Sequence, residues 1–246
     1  MKLRGFSAVA TIGAFLGFAD LVQRVVVVPL VWVAPALKDR VLAAWQRWLA
    51  GTLIGVIRFE PFPTISSEAG VLVLMNHQSV LDIPIIVRCI EQGYPLIVTR
   101  KRYARWVPVV SRMIRLYDYP VVDPKGAMRG QLKSLQAVAK DPRVPIVVFP
   151  EGTRSHDGEL LPFRRGAVDT FLRRRKWKAY LATADGILAC GRLKDMLNGV
   201  ESVHCRVSVS GPFDTPSNAA EIPSWLEEME GRMRSELDGL RLVSRG

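Results

Sequence analysis

Cysteine is scarce in this sequence. Among 246 residues only Cys89, Cys190 and Cys205 are cysteine, and they lie far apart. That spacing excludes a disulfide framework and a cysteine-rich zinc site, and it makes a reducing compartment the default. Histidine is equally rare. No second histidine stands at ligand spacing from His77, so no metal is expected. No serine sits in a Gly-x-Ser-x-Gly elbow, and no cysteine neighbours a histidine in a nucleophile pattern. Repeats and low-complexity stretches are lacking as well. Acidic side chains are outnumbered, 23 against 34 Lys and Arg, which leaves a net charge of +11. A chain that is both basic and rich in apolar residues points to nucleic acid or to an anionic membrane surface. No nucleic-acid-binding motif is present, and such a partner leaves the apolar N-terminus unexplained, so a membrane is expected and nucleic acid is not.

The apolar excess is concentrated in FSAVATIGAFLGFADLVQRVVVVPLVWVAPAL, residues 6 to 37. Asp20, Gln23 and Arg24 divide it into pieces that each fall short of the ~20 residues a spanning helix needs. The preferred reading is a pair of short helices dipping into one leaflet. A single span and a cleaved signal are the alternatives. Lys2 and Arg4 lie before the segment and Lys38, Arg40 and Arg47 after it. A hairpin keeps both basic flanks on the cytoplasmic side, as the positive-inside rule favours. The expected division is a membrane-associated helical segment, 1–37, and one α/β domain, 38–246, at the inner (cytoplasmic) membrane.

Beyond a helix at 38–55 the pattern alternates. Strands are expected at 56–60, 71–75, 95–99, 119–122, 145–149, 178–183 and 203–209. Helices are expected at 79–90, 107–115, 128–140, 166–175 and 187–197. The tail IPSWLEEMEGRMRSELDGL has Trp225, Leu226, Met229, Met233 and Leu237 at helical spacing. The fold class is therefore α/β, a central mixed sheet flanked by helices. Ligands of such sheets gather at the carboxyl ends of strands. Two of those ends carry polar clusters.

The first cluster is NHQSVLD, residues 76 to 82. Positions five apart lie about 140° around a helix, so His77 and Asp82 meet only if His77 is in the loop and the helix begins between them. Ser79 is the expected N-cap. A carboxylate on one ring nitrogen fixes the tautomer and leaves the other nitrogen as a base for a substrate hydroxyl. The plainer alternative is a capping motif in which His77 is incidental. The second cluster is FPEGTRS, residues 149 to 155. Gly152 permits a tight turn, Thr153 and Ser155 offer hydroxyls, and Arg154 carries a planar fork suited to phosphate. Glu151 is a candidate to hold Arg154 or a backbone N–H. A solvated loop is the plainer alternative here too. LPFRRGA, with Arg164 and Arg165, follows.

NHQSVLD followed about seventy residues later by FPEGTRS resembles the glycerolipid acyltransferase family, which includes the 1-acylglycerol-3-phosphate acyltransferases. LPFRRGA is similar to the basic segment that follows in that family. The resemblance covers roughly residues 40 to 212. It implies that His77 takes a proton from the acceptor hydroxyl while Asp82 orients it. The hydroxyl oxygen then attacks an acyl thioester from acyl-CoA or acyl carrier protein, with no covalent acyl-enzyme, no metal and no further cofactor. It also implies that Arg154, Gly152, Glu151 and Thr153 shape the phosphate site of a lysophospholipid acceptor. Asn76, Arg100, Lys101, Lys125 and Arg164 are additional candidates for substrate contact.

Two stretches depart from the family pattern. YPVVDPKGAMR has Pro124 where an arginine is expected, so that Lys125, Arg129, Arg100 or Lys101 would take its place. KAYLATADGI lacks an expected proline-valine pair. These changes bear on the headgroup, and another lysolipid is the alternative acceptor. A non-catalytic lipid-binding protein is the alternative from another class. RKRYAR (100–105) and RRRKWK (173–178) are expected at anionic lipid or at the donor's phosphates.

Overall fold

The run Val71-Leu72-Val73-Leu74-Met75 is buried at every position and forms β2 (Val71–Met75), paired in parallel on both sides. A continuous apolar run is what a strand covered on both faces requires. The structure, a computed structural model, describes residues 2–55, 58–59, 61–123, 128–140, 143–191 and 203–243. Within these, β1 (Arg58–Phe59), β2, β3 (Leu96–Ile97), β6 (Ile146–Val148), β7 (Lys178–Asp185) and β8 (His204–Asp214) form one sheet in the order β1-β8-β7-β2-β6-β3. All its pairs are parallel except β7 with β8, so the sheet is mixed. The short strands β4 (Thr99–Arg100) and β5 (Val121–Val122) pair in parallel beside it.

Helices cover both faces. One face carries α3 (Lys38–Ile54), α4 (Asp82–Cys89) and α5 (Val110–Leu116), whose apolar residues join Val71, Val73 and Met75 in one core cluster. The other carries α6 (Met128–Lys140), α7 (Arg165–Leu172) and α8 (Ile222–Val243), which pack on Leu72 and Leu74. The tail is the amphipathic helix its spacing predicts. Ile222, Trp225, Leu226, Met229, Met233 and Leu237 of α8 are all buried. The helix α3 is tied to the sheet-side layer by polar contacts as well. Gln46 Nε2 donates to Tyr119 Oη at 2.6 Å, and Tyr117 Oη donates to the Leu42 carbonyl at 2.7 Å.

The N-terminus departs from the expected pair of helices. α1 (Lys2–Val22) runs through one π-helical turn, Gln23–Val27, into α2 (Val28–Val33), so the helix does not turn back at Asp20–Arg24. Asp20 and Arg24 face one another one turn apart, with Nε to Oδ2 at 2.6 Å. The widened turn lies just before Pro29, whose ring would otherwise press on the carbonyl four residues back. Ala10–Val33 is thus one 24-residue helix, long and apolar enough to cross a membrane. The chain reverses only after it, at Ala34 and the 3-10 turn Pro35–Leu37. The ring contact of Phe15 with Trp48 of α3, 5.5 Å between centroids, ties the two arms together.

Elsewhere the element boundaries shift by a few residues. The strand expected at 95–99 is divided into β3 and the start of β4. Of the helix expected at 187–197, only the 3-10 turn Leu188–Cys190 lies within the described residues.

Candidate active site

The loop from β2 to α4 holds its carboxylate and its imidazole together. His77 Nδ1 lies 2.6 Å from Asp82 Oδ2. The same oxygen accepts the backbone N–H groups of Gln78 and Ser79, each at 2.8 Å. This is why α4 begins at Asp82 rather than Ser79. The carboxylate draws the preceding N–H groups into a loop around itself instead of into a helical turn. Ser79 is therefore not a side-chain cap. Its hydroxyl is buried, donating to the Cys190 carbonyl at 2.6 Å and accepting from Leu81 N–H at 3.1 Å. Asp82 is fully buried. The His77 ring stacks on Phe149, 4.2 Å between centroids, and reaches the cavity wall. With Nδ1 committed to a carboxylate, Nε2 is the nitrogen left to meet a substrate proton.

The second motif fixes the backbone of the first. His77 N–H donates to Glu151 Oε1 at 2.6 Å, and Ser155 N–H donates to the His77 carbonyl at 2.8 Å. Glu151 Oε2 accepts from Leu161 N–H at 2.9 Å. Glu151 is buried and does not line the cavity. The expectation that it touches a phosphate gives way to this arrangement, since both oxygens are taken up by backbone N–H groups. Burial pushes its carboxyl up to about 7 against the pull of the Leu161 and His77 N–H groups, with the charges of Asp82 and Glu230 adding to the rise. Asn76 is displaced from the substrate in the same way. Its amide donates to the Ala184 carbonyl and accepts the Ala184 N–H, both at 2.8 Å, which fastens the end of β2 to β7. Replacing Asn76 by alanine orphans both buried Ala184 groups. Thermal unfolding is expected to show a loss of about 2–6 kcal/mol, from ~1–3 for each unpaired group.

His77, Arg100, Gly152, Thr153, Arg154 and Arg164 all line one cavity of about 1190 Å³. Gly152 has φ +65°, and a Cβ there would stand 3.1 Å from Arg164 Cδ, so the turn that brings Arg164 across it calls for glycine. Arg100 donates to the Gly152 carbonyl and Arg154 to the Gly191 carbonyl. Burial and the charges of Arg102, Arg164 and Arg154 hold Arg100 below the usual guanidinium range. Positive charge crowded at a half-buried site suits an anion, and Asp169, the carboxylate in the cavity lining, is paired with Arg173 at 2.6 Å. Lys101 points elsewhere. It is exposed, pairs with Asp123 at 3.2 Å and does not line the cavity. Lys125 and Pro124 lie outside the described residues, as does the side chain of Arg129.

Most of the remaining wall is apolar and draws on both core clusters. Val80, Tyr103 and Val110 come from the α3–α5 side, and Val98, Val122, Leu135 and Val148 from the α6–α8 side. These residues are what the motif reading missed. Their only sign in the sequence is apolarity, which they share with the rest of the core. RRRKWK lies at the amino ends of the strands, since Lys178 is in register with Val71, whereas His77 follows Met75 at the other end. None of its six residues lines the cavity, and it is partly neutralised, with Arg173 at 2.6 Å on Asp169, itself a residue of the cavity wall, and Lys178 on Glu68 at 2.8 Å. Among the described residues there is no group of three or more His, Cys, Asp or Glu set to hold a metal ion.

A model of the family described as Acyltransferase matches residues 56–182. The 1-acyl-sn-glycerol-3-phosphate acyltransferase of Cocos nucifera is 30% identical over 112 residues, covering 44% of this chain and 35% of that protein. The one of Saccharomyces cerevisiae is 37% identical over 101 residues, 39% of this chain and 32% of that protein. The one of Escherichia coli is 28% identical over 108 residues, 43% of each. The match thus spans between about a third and under a half of these relatives' length. The crystal structure of the 1-acyl-sn-glycerophosphate acyltransferase PlsC of Thermotoga maritima superposes with a TM-score of 0.64 at 19% identity, covering 98% of this chain and 95% of that one. The same α/β architecture is therefore present in both.

Proposed function

The chain belongs to the acyltransferase family, and from that premise we propose that it moves a fatty acyl group from an acyl thioester to the free hydroxyl of 1-acylglycerol-3-phosphate, giving phosphatidic acid. The observation that carries this reading is the His77–Asp82 pair, 2.6 Å apart, at the wall of a cavity lined by arginines and by apolar side chains. His77 Nε2 takes the proton of the acceptor hydroxyl as its oxygen attacks the thioester carbonyl. The tetrahedral adduct collapses, the C–S bond breaks, and the departing sulfur of CoA or of acyl carrier protein receives the proton from the imidazolium. The buried Asp82 carboxylate stabilises the imidazolium between these two transfers. The acceptor phosphate sits among Arg100, Arg154 and Arg164, with Thr153 beside them. The reaction brings two acyl chains together, and apolar walls on both sides of the sheet edge suit one chain each.

We further infer that residues 1–37 anchor the protein to the cytoplasmic membrane and that 38–246 is the catalytic unit facing the cytoplasm. The apolar Ala10–Val33 helix supports the first part. The polar contacts of α3 with Tyr117 and Tyr119 support the second.

The test is thiol release from palmitoyl-CoA, and from the corresponding acyl carrier protein, by purified protein in detergent with and without 1-acylglycerol-3-phosphate. Release that depends on the acceptor is expected with at least one donor. Release with neither donor, alongside release when another lysolipid is supplied, would overturn the choice of headgroup. Arg154→Ala is expected to raise KM for the acceptor roughly 10- to 100-fold, the equivalent of ~1.5–3 kcal/mol for a charge-assisted contact, with a smaller change in kcat. A KM for the acceptor that stays put in steady-state assays would remove Arg154 from the phosphate.

A further inference from the structure

The segment between the 3-10 turn Lys101–Ala104 and α5 has a conformation that its own sequence does not explain. Trp106 is 96% exposed and has φ +65°. Three residues on, Val109 has φ +63° and ψ −58°, and Val110 N–H closes onto the Pro108 carbonyl at 2.6 Å. That is a γ-turn of the strained hand, centred on a β-branched residue. Ser111 braces it, accepting Val107 N–H at 2.8 Å and donating to the Tyr103 carbonyl at 3.0 Å. Asp20 braces it from outside, because its Oδ1 accepts Val109 N–H at 2.9 Å. The carboxylate that interrupts the apolar N-terminal helix is thus the tether of a strained loop that holds a tryptophan in the open.

We propose that this loop, Tyr103 to Ser111, is a second membrane-contact element, in which Trp106 enters the headgroup layer of an anionic bilayer next to the N-terminal helix. The proposal rests on the membrane reading given above. Three observations carry it. The tether makes the loop continuous with a helix whose Phe18, Leu21 and Val25 are exposed. Arg102 and Arg105, both exposed on the same segment, supply charge complementary to anionic lipid. A tryptophan ring in water forfeits its apolar burial, whereas the headgroup layer accommodates both ring and N–H. Tyr103, Val107 and Val110 also line the substrate cavity. The loop that meets the lipid is therefore a wall of the site that receives a lipid-borne acceptor.

The experiment uses the full chain and vesicles of phosphatidylcholine with and without phosphatidylglycerol. Binding is read by co-sedimentation, and depth by quenching of tryptophan fluorescence with brominated lipid in wild type and in Trp106→Phe. Acyl transfer is measured with vesicle-borne acceptor and with a short-chain, water-soluble acceptor. The expected result is quenching in wild type that drops in Trp106→Phe. Trp106→Ser should lower turnover on vesicles about tenfold and leave turnover on the soluble acceptor unchanged. Arg102→Glu with Arg105→Glu should remove the preference for phosphatidylglycerol. Vesicle binding with equal quenching in wild type and Trp106→Phe would overturn the loop's role and leave the membrane reading standing. No vesicle binding by wild type would overturn both. Self-association that depends on Trp106 and is indifferent to lipid would assign the loop to a second copy of the chain and likewise overturn the proposal.

Discussion

Asp82→Asn is expected to lower kcat by about 10²–10³-fold and to leave the fold intact, whereas His77→Ala lowers it by about 10²–10⁴-fold, the usual worth of a positioned base. The asparagine case separates charge from geometry. One oxygen of Asp82 already receives three donors, from His77 Nδ1, Gln78 N–H and Ser79 N–H, while Oδ1 is buried without a partner among the described residues. An asparagine can keep its carbonyl oxygen in the first position and set its NH₂ where Oδ1 stood. The imidazole then stays oriented but lacks the negative charge that stabilises it when protonated. The measurement is steady-state thiol release for both variants, with circular dichroism to show that helix content is kept. A fall confined to KM would mean that His77 and Asp82 serve binding and not proton transfer.

Glu151→Gln discriminates between a phosphate ligand and a backbone clamp. Glutamine has one carbonyl oxygen for two N–H groups, so its NH₂ must face either His77 N–H or Leu161 N–H. That costs about 1–3 kcal/mol for the unpaired group. It also moves the loop that carries the base, and a shift on the order of 1 Å is worth roughly 10² in rate. The expected result is therefore a fall of about 10²-fold in kcat with KM for the acceptor nearly unchanged. A rise in KM alone would restore Glu151 to the phosphate.

The same substitution reports on pH. The Glu151 carboxyl is raised from 4.5 to about 7 in the folded protein. Between those values the folded state holds a proton that the unfolded chain has lost, so stability falls as pH rises through this window. Across the whole window the change is about 3 kcal/mol, and it is fully felt above the folded value. The difference in Tm between wild type and Glu151→Gln should slope down from about pH 4.5 to 7 and then level off. A flat difference would show that the carboxylate is as comfortable in the protein as in water.

What could be read from the sequence, and what could not, divides along a physical line. His77, Asp82 and Arg154 stood out because chemically rich side chains cluster where apolar strands end. The alternation of strands and helices was enough to specify a mixed α/β sheet. The offset start of α4 and the true partners of Glu151 and Asn76 were not legible, because those partners are backbone groups, which every residue carries alike. The N-terminal helix was misdivided for a related reason. Asp20, Gln23 and Arg24 look like an interruption only while their partners are unknown, and Asp20 finds its own in Val109, 89 positions away. The apolar cavity wall was hidden within an apolar core.

The carbonyl and N–H of His77 are held by Ser155 and Glu151, the latter 74 residues further along the chain, and Asn76 by Ala184, 108 further along. No local segment can therefore assemble the base. During synthesis the histidine emerges long before the strands that position it, and a chain cut short ahead of β6 has the motif without the machine. Refolding from denaturant should accordingly recover helical signal first and turnover last, because closing such long-range pairs is the slow part of the search. Until the sheet is complete, the protein carries its reactive imidazole in an unaligned form, and catalytic competence serves as a readout of finished topology.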